Sequence, residues 1–146
     1  MALACDLLVV SRNATLGIPE ARVGLFAAGG GLLRLPRRIG YGKAMEMAMT
    51  AEPITAVEAF ERGLATRLTE PGEALNEALA SAASIAVNAP LAVAASKRLI
   101  RASLESTEAE FWELQAGPFR EVFRSNDAKE GPRAFAEKRP PEWTGT

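Results

Sequence analysis

The chain has 146 residues, the length of one ordinary domain, with 48% apolar and 24% charged residues and a net charge of −1. That balance supplies no strong field to draw the chain to nucleic acid or anionic lipid. The absence of histidine removes His-based triads, His metal sites and a His general base, and the single Cys5 excludes an internal disulfide.

Cys5, with no His partner, reads as a buried small hydrophobe, and it fits a reducing compartment; the cytoplasm is the expected location. No apolar run is long enough to cross a membrane. The segment 1–10 lacks a basic start and carries Asp6, so it does not read as a signal peptide. A chain that opens inside an apolar run reads as the interior of a larger fold, because termini usually fray in water.

In chain order, Leu7–Val10 is a short branched apolar run, expected as a strand covered on both faces. Ser11-Arg12-Asn13 is a turn, and 14–18 is extended because the residue before Pro19 is biased away from helix. Residues 31–39 form a short helix ending near Gly40 despite Pro36, and 43–50 form a second. Thr55 and Glu58 have capping-box spacing before a helix over 56–62 that stops at Gly63, and 64–68 is a short strand. From there the pattern is helical. Residues 73–87 carry an apolar stripe at 75, 78, 79, 82, 85 and 86. Pro90 opens the next helix, and Thr107 and Glu110 cap another, in which Gly117-Pro118 predicts a kink or break. Asp127 and Glu130 repeat the capping spacing before a last helix ending near Lys138, and a polar tail follows. The organisation is βαβ-like to about residue 70 and helical beyond it, giving regions 1–70 and 71–146.

The stretch Thr15 to Leu35 carries the chemistry. Glu20 follows Pro19 and is flanked by Ile18, Val23, Leu25 and Phe26, so it is a candidate for partial burial and acid–base work. Gly29-Gly30-Gly31 opens a helix, where backbone N–H groups lack intrahelical partners. The run is neither a P-loop nor a dinucleotide fingerprint, since no Gly-Lys-Ser/Thr follows and the G-x-G-x-x-G spacing fails. Arg34, Arg37 and Arg38 read as a solvated or ion-paired face, and no Asp/Glu cluster has metal spacing, so no metal is expected.

Ala2-Leu3-Ala4-Cys5-Asp6, Gly17-Ile18-Pro19-Glu20, Val23-Gly24-Leu25, Gly29-Gly30, Leu35-Pro36-Arg37 and the Phe135 to Arg139 segment stand in the order and spacing of the enoyl-CoA hydratase/isomerase (crotonase) family, which this chain resembles to about Arg139. The resemblance covers the family's second half. It implies an α/β fold: the later part of a crotonase-like ββα spiral, followed by a helical, trimerising region. It implies an acyl-CoA substrate, coenzyme A as part of that substrate rather than a cofactor, and a trimer or hexamer. Glu20 matches the family's second catalytic Glu, which serves hydration or isomerisation of an enoyl thioester through an enolate. Pro19, Ala28 and Gly29 match substrate-wall positions, and Phe135 and Lys138 match contacts to the CoA adenine and phosphates. In hydratases the backbone N–H at the Ala28 position helps hold water, and there the family usually has glycine. The family's oxyanion-hole donors and first catalytic Glu lie in its first half, so the chain alone is expected to be inactive.

Overall fold

The computed structural model describes residues 2–146, and the chain divides into two compact units, one running through Ala80 and one spanning Ser81–Thr146. In the first unit a 3-10 turn, Ala2–Ala4, precedes β1 (Val9–Ser11) and β2 (Thr15–Leu16). A 3-10 helix, Pro19–Val23, is followed by α1 (Gly31–Ile39), α2 (Tyr41–Thr50), β3 (Ile54–Thr55), α3 (Ala56–Glu61) and β4 (Arg67–Thr69). The helix α4 (Ala74–Ala86) begins in this unit and ends in the next.

Two strand pairs organise the first unit. β1 runs parallel to β4 with Val9 opposite Arg67 and Ser11 opposite Thr69, and β2 runs antiparallel to β3 with Leu16 opposite Ile54. The core is Leu35 and Ile39 of α1, Ala44 and Met47 of α2, and Ile54, Ala59, Leu64 and Ala65, with Leu3, Leu8, Val10, Leu16 and Ile18 packed against it. Met47 and Leu64 are fully buried. Burial of a side chain of that size contributes about 1.5–3 kcal/mol.

Several expectations are corrected by local bonding. The first strand begins at Val9, not Leu7, and is half-buried rather than covered on both faces. The last strand begins at Arg67 because Leu64 and Ala65 fold back, both donating to the Ala59 carbonyl at 2.8 and 3.0 Å. Cys5 is exposed, not buried. Its backbone is engaged on both sides, donating to the Ala2 carbonyl and accepting from Arg38, while its side chain faces outward. Thr55 accepts from the Glu58 N–H at 3.1 Å, but the Glu58 carboxylate does not complete a capping box. It joins Lys43 at 3.0 Å and Arg62 at 2.9 Å instead, and these cations, Lys43 first, hold its carboxyl below the usual range.

The second unit contains the end of α4, then α5 (Pro90–Ser103), α6 (Glu108–Arg124) and α7 (Asp127–Glu137). Thr107 and Glu110 form a complete capping box, each side chain bonding the other's backbone N–H. α6 runs through Gly117-Pro118 without the break that was one of the two expected outcomes there. Pro118 lacks only the N–H that would bond the Leu114 carbonyl, so one bond of the helix ladder is lost and the rest continue. Asp127 and Glu130 are not a capping pair. Ser125 Oγ accepts the Ala128 N–H at 3.0 Å in that role. The buried Asp127 carboxylate instead receives the backbone N–H groups of Thr144 and Gly145, and Glu130 receives Arg139 and the Glu142 N–H. The polar tail is therefore strapped down, with the Trp143 indole donating to the Val87 carbonyl at 2.7 Å. Among the described residues no single helix is long and apolar enough to cross a membrane.

Candidate active site

Pro19 sits at the start of the 3-10 helix, where its fixed φ suits the first turn and its missing N–H costs no bond. Glu20 follows. The helix closes at Gly24, in the left-handed region at φ +73°, and the Glu20 carbonyl accepts the Leu25 N–H at 3.0 Å. Arg22 pairs with Glu52 at 2.6 Å, tying the turn to the segment after α2. A Cβ on Gly17 would lie 3.2 Å from Pro53 Cβ, so glycine allows the chain to pass close to Pro53 on its way into the turn.

These contacts set the Glu20 side chain in a cavity of about 380 Å³, walled by Leu3, Leu8, Ile18, Leu35, Met47 and Leu64 among others. Its Oε2 is buried and has no hydrogen-bond partner among the described residues. Val23, Leu25 and Phe26 do not provide that burial, as the sequence suggested; all three are exposed. Cover comes from residues distant in sequence, in the 3-10 turn Ala2–Ala4, α1, α2 and the turn after α3. An unpartnered buried carboxylate oxygen is costly.

The glycine run forms another wall. Gly29 and Gly31 line the cavity. Gly30 caps α1 at φ +83°, and the Arg34 guanidinium lies where a Cβ on residue 30 would be, donating to the Gly29 carbonyl at 3.2 Å. A Cβ on Gly31 would stand 3.1 Å from that of Ala27. Arg34 is the other charged residue lining the cavity besides Glu20. Arg34 is exposed, in keeping with the solvated or ion-paired face expected for it, and its guanidinium reaches back one helical turn to the loop. Ala28 donates its N–H to the Phe26 carbonyl at 2.7 Å and is not among the lining residues. Of the remaining expected site residues, Phe135 is 87% exposed near the end of α7, and Lys138 terminates that helix in the left-handed region at φ 54°. Both belong to the second unit.

The family model described as enoyl-CoA hydratase/isomerase matches residues 1–146. The chain is 42% identical over 149 residues to a carnitinyl-CoA dehydratase of Proteus mirabilis, covering 99% of this chain and 57% of that protein. Among solved structures, an enoyl-CoA hydratase from Mycobacterium tuberculosis superposes with a TM-score of 0.96 at 51% identity, covering 99% of this chain and 57% of the other. One from Bacillus anthracis gives 0.95 at 33% identity, covering 99% and 56%. The chain belongs to the enoyl-CoA hydratase/isomerase family and has its crotonase-like α/β fold. It spans little more than half the length of these relatives. Those shares measure length and place the chain at neither end, so they do not uphold the expectation of a second half.

Proposed function

We propose that Glu20 is the proton-transfer group of an enoyl-CoA hydratase-type site acting on acyl-CoA thioesters. The observation that carries this reading is the Glu20 Oε2, buried without a partner in the cavity. A carboxylate so held moves a proton to or from the carbon next to the thioester carbonyl, while two N–H donors stabilise the enolate oxygen. Hydration of an enoyl thioester adds OH at C3 and H at C2, and dehydration, which the Proteus relative's name describes, is the same step reversed. Coenzyme A enters with the substrate, so no separate cofactor is needed; Gly29 lines the acyl end of the cavity, and Phe135 and Lys138 are assigned the adenine and phosphates of a CoA held by a neighbouring subunit. Fatty-acid β-oxidation chemistry, a trimeric or hexameric assembly and a cytoplasmic location complete the reading.

A second reading, isomerisation by one carboxylate, is favoured by a specific contact. The Ala28 N–H that would help hold the water of hydration is donated to the Phe26 carbonyl.

The test grafts this chain in place of the matched part of the Mycobacterium tuberculosis enzyme and assays crotonyl-CoA hydration. The graft should turn over, and Glu20→Gln should lower kcat by about 10²–10⁴-fold, the usual weight of a general acid or base. Retention of the rate within a few-fold, in a folded variant, overturns the assignment. The 146-residue chain by itself should show little or no hydration; turnover near that of the graft would contradict this. Lys138→Ala in the graft should raise KM and leave kcat nearly unchanged.

A further inference from the structure

We infer that the Arg139–Glu130 pair is a positioning device, which holds Lys138 in a left-handed backbone conformation so that its ammonium stands ready for a phosphate of CoA. The inference rests on the phosphate role proposed for Lys138 and is independent of what Glu20 does. Arg139 and Glu130 are positioning residues, since neither is assigned a contact with the substrate.

At the end of α7 the Lys138 N–H donates to the Phe135 carbonyl at 3.2 Å and the Arg139 N–H to the Ala134 carbonyl at 3.1 Å. That pair of bonds closes a helix when the residue just past its end is left-handed, a place that glycine usually takes because it has no Cβ to clash. Lys138 takes it here, at φ 54° and ψ 39°. Among the described residues Ala51 is the other non-glycine residue with positive φ, and it has a packing reason, being buried in the core. Lys138 has none. Its residue is exposed, and its ammonium has no ion-pair partner among the described residues. Backbone strain of this kind persists only where the surroundings impose it, and such positions cluster at ligand sites.

The surroundings impose it through Arg139. Its guanidinium forks onto Glu130, Nη1 donating to Oε1 at 2.5 Å and Nη2 to Oε2 at 3.0 Å, and its Nε donates to Glu137 at 2.7 Å. Nη1 also donates to the Pro140 carbonyl at 3.1 Å, and Glu130 takes the Glu142 N–H at 2.9 Å. A two-pronged, partly buried arginine–carboxylate pair is among the stronger ion pairs. With the Arg139 side chain tied to Glu130 and its N–H to Ala134, the chain must reverse at residue 138, and the left-handed conformation makes that reversal. Lys138 therefore stands at a fixed place three residues after the exposed Phe135. A backbone fixed in advance spares the ligand the entropy of ordering it on binding.

The experiment uses the graft of this chain into the Mycobacterium tuberculosis enzyme and compares crotonyl-CoA with crotonyl-pantetheine, which carries the same thioester without the nucleotide phosphates. Arg139→Met should raise KM for crotonyl-CoA by about three- to tenfold, the worth of an exposed charge-assisted contact, with kcat unchanged and no effect on crotonyl-pantetheine. In a Lys138→Ala background the same change should add nothing, because Arg139 acts through Lys138. Glu130→Gln, which loosens the fork from the other side, should repeat the pattern and serves if Arg139→Met does not fold. Lys138→Gly, which suits the left-handed backbone, should raise the urea midpoint of the graft while raising KM as Lys138→Ala does. An Arg139 variant that leaves KM unchanged, raises it for both substrates alike, or adds its effect to that of Lys138→Ala overturns the inference, and so does a lower urea midpoint for Lys138→Gly. Lys138→Ala without effect on KM overturns the phosphate role and this inference with it, and leaves Glu20→Gln to decide the proton transfer separately.

Discussion

Gly30 is the residue whose side-chain absence shapes the candidate site most directly. Its φ of +83° is in the left-handed region, and the Arg34 guanidinium occupies the place of a Cβ. Gly30→Ala should cost about 1–2 kcal/mol from the backbone alone, read as a lower urea midpoint at unchanged m-value. Arg34 is a flexible side chain and can swing aside, so the same substitution should also release its bond to the Gly29 carbonyl. An Arg34→Met variant, which already lacks that bond, should lose less additional stability when Gly30→Ala is added than the sum of the single changes. Gly29-Gly30-Gly31 was legible in the sequence as a helix opening, and Glu20 as a candidate for burial. What was not legible is how the burial is made. The neighbours Val23, Leu25 and Phe26 are exposed, and Leu3, Met47 and Leu64 do the covering. Sequence adjacency reports periodicity within an element, whereas a cavity wall is assembled by tertiary contact.

Helix boundaries were readable where a local signal governs them. The Thr107–Glu110 box and Pro90 at the start of α5 are such cases, each satisfying or avoiding an unpaired N–H within one turn. Gly117-Pro118 did not end the helix because a proline removes a single N–H, and whether the remaining bonds and packing carry the helix through is set outside the local sequence. Pro118→Ala should accordingly stabilise the chain by about 1–3 kcal/mol by restoring the bond to Leu114, measured by denaturant unfolding. The docking of the polar tail was not legible because its partners, Asp127 and Glu130, share the spacing of a cap. Its pH dependence distinguishes the two roles. The Arg139 guanidinium, with the Glu142 N–H, lowers the Glu130 carboxyl from 4.5 to about 2. A carboxyl depressed by folding contributes fully above its unfolded value, so the strap's contribution is intact above pH 4.5 and lost as the pH falls through about 2. The Trp143 indole resonance, marking its bond to the Val87 carbonyl, should hold its docked position to mildly acidic pH and shift only below it. Glu130→Gln should move that resonance already at neutral pH.

At the scale of the molecule, the helices carry far more apolar surface than their contacts cover. The apolar stripe expected on α4 exists, but Leu75, Leu79 and Ile85 on it are exposed, and no residue of that helix is buried. On α6, Trp112, Leu114, Phe119 and Phe123 are each at least half exposed, and the last two rings stack on each other at 4.1 Å. Exposed aromatic and aliphatic groups of the kind α6 carries are those that form association surfaces. Their burial at about 25 cal/mol per Å² is the drive available for association. The 146-residue chain should therefore self-associate at micromolar concentration, and Phe119→Glu with Phe123→Glu should dissolve the oligomer without unfolding α6, since Glu is a good helix former. Sedimentation velocity with circular dichroism in parallel checks both parts. A chain that sediments as a monomer before any substitution would mean that these faces are too dispersed to drive association.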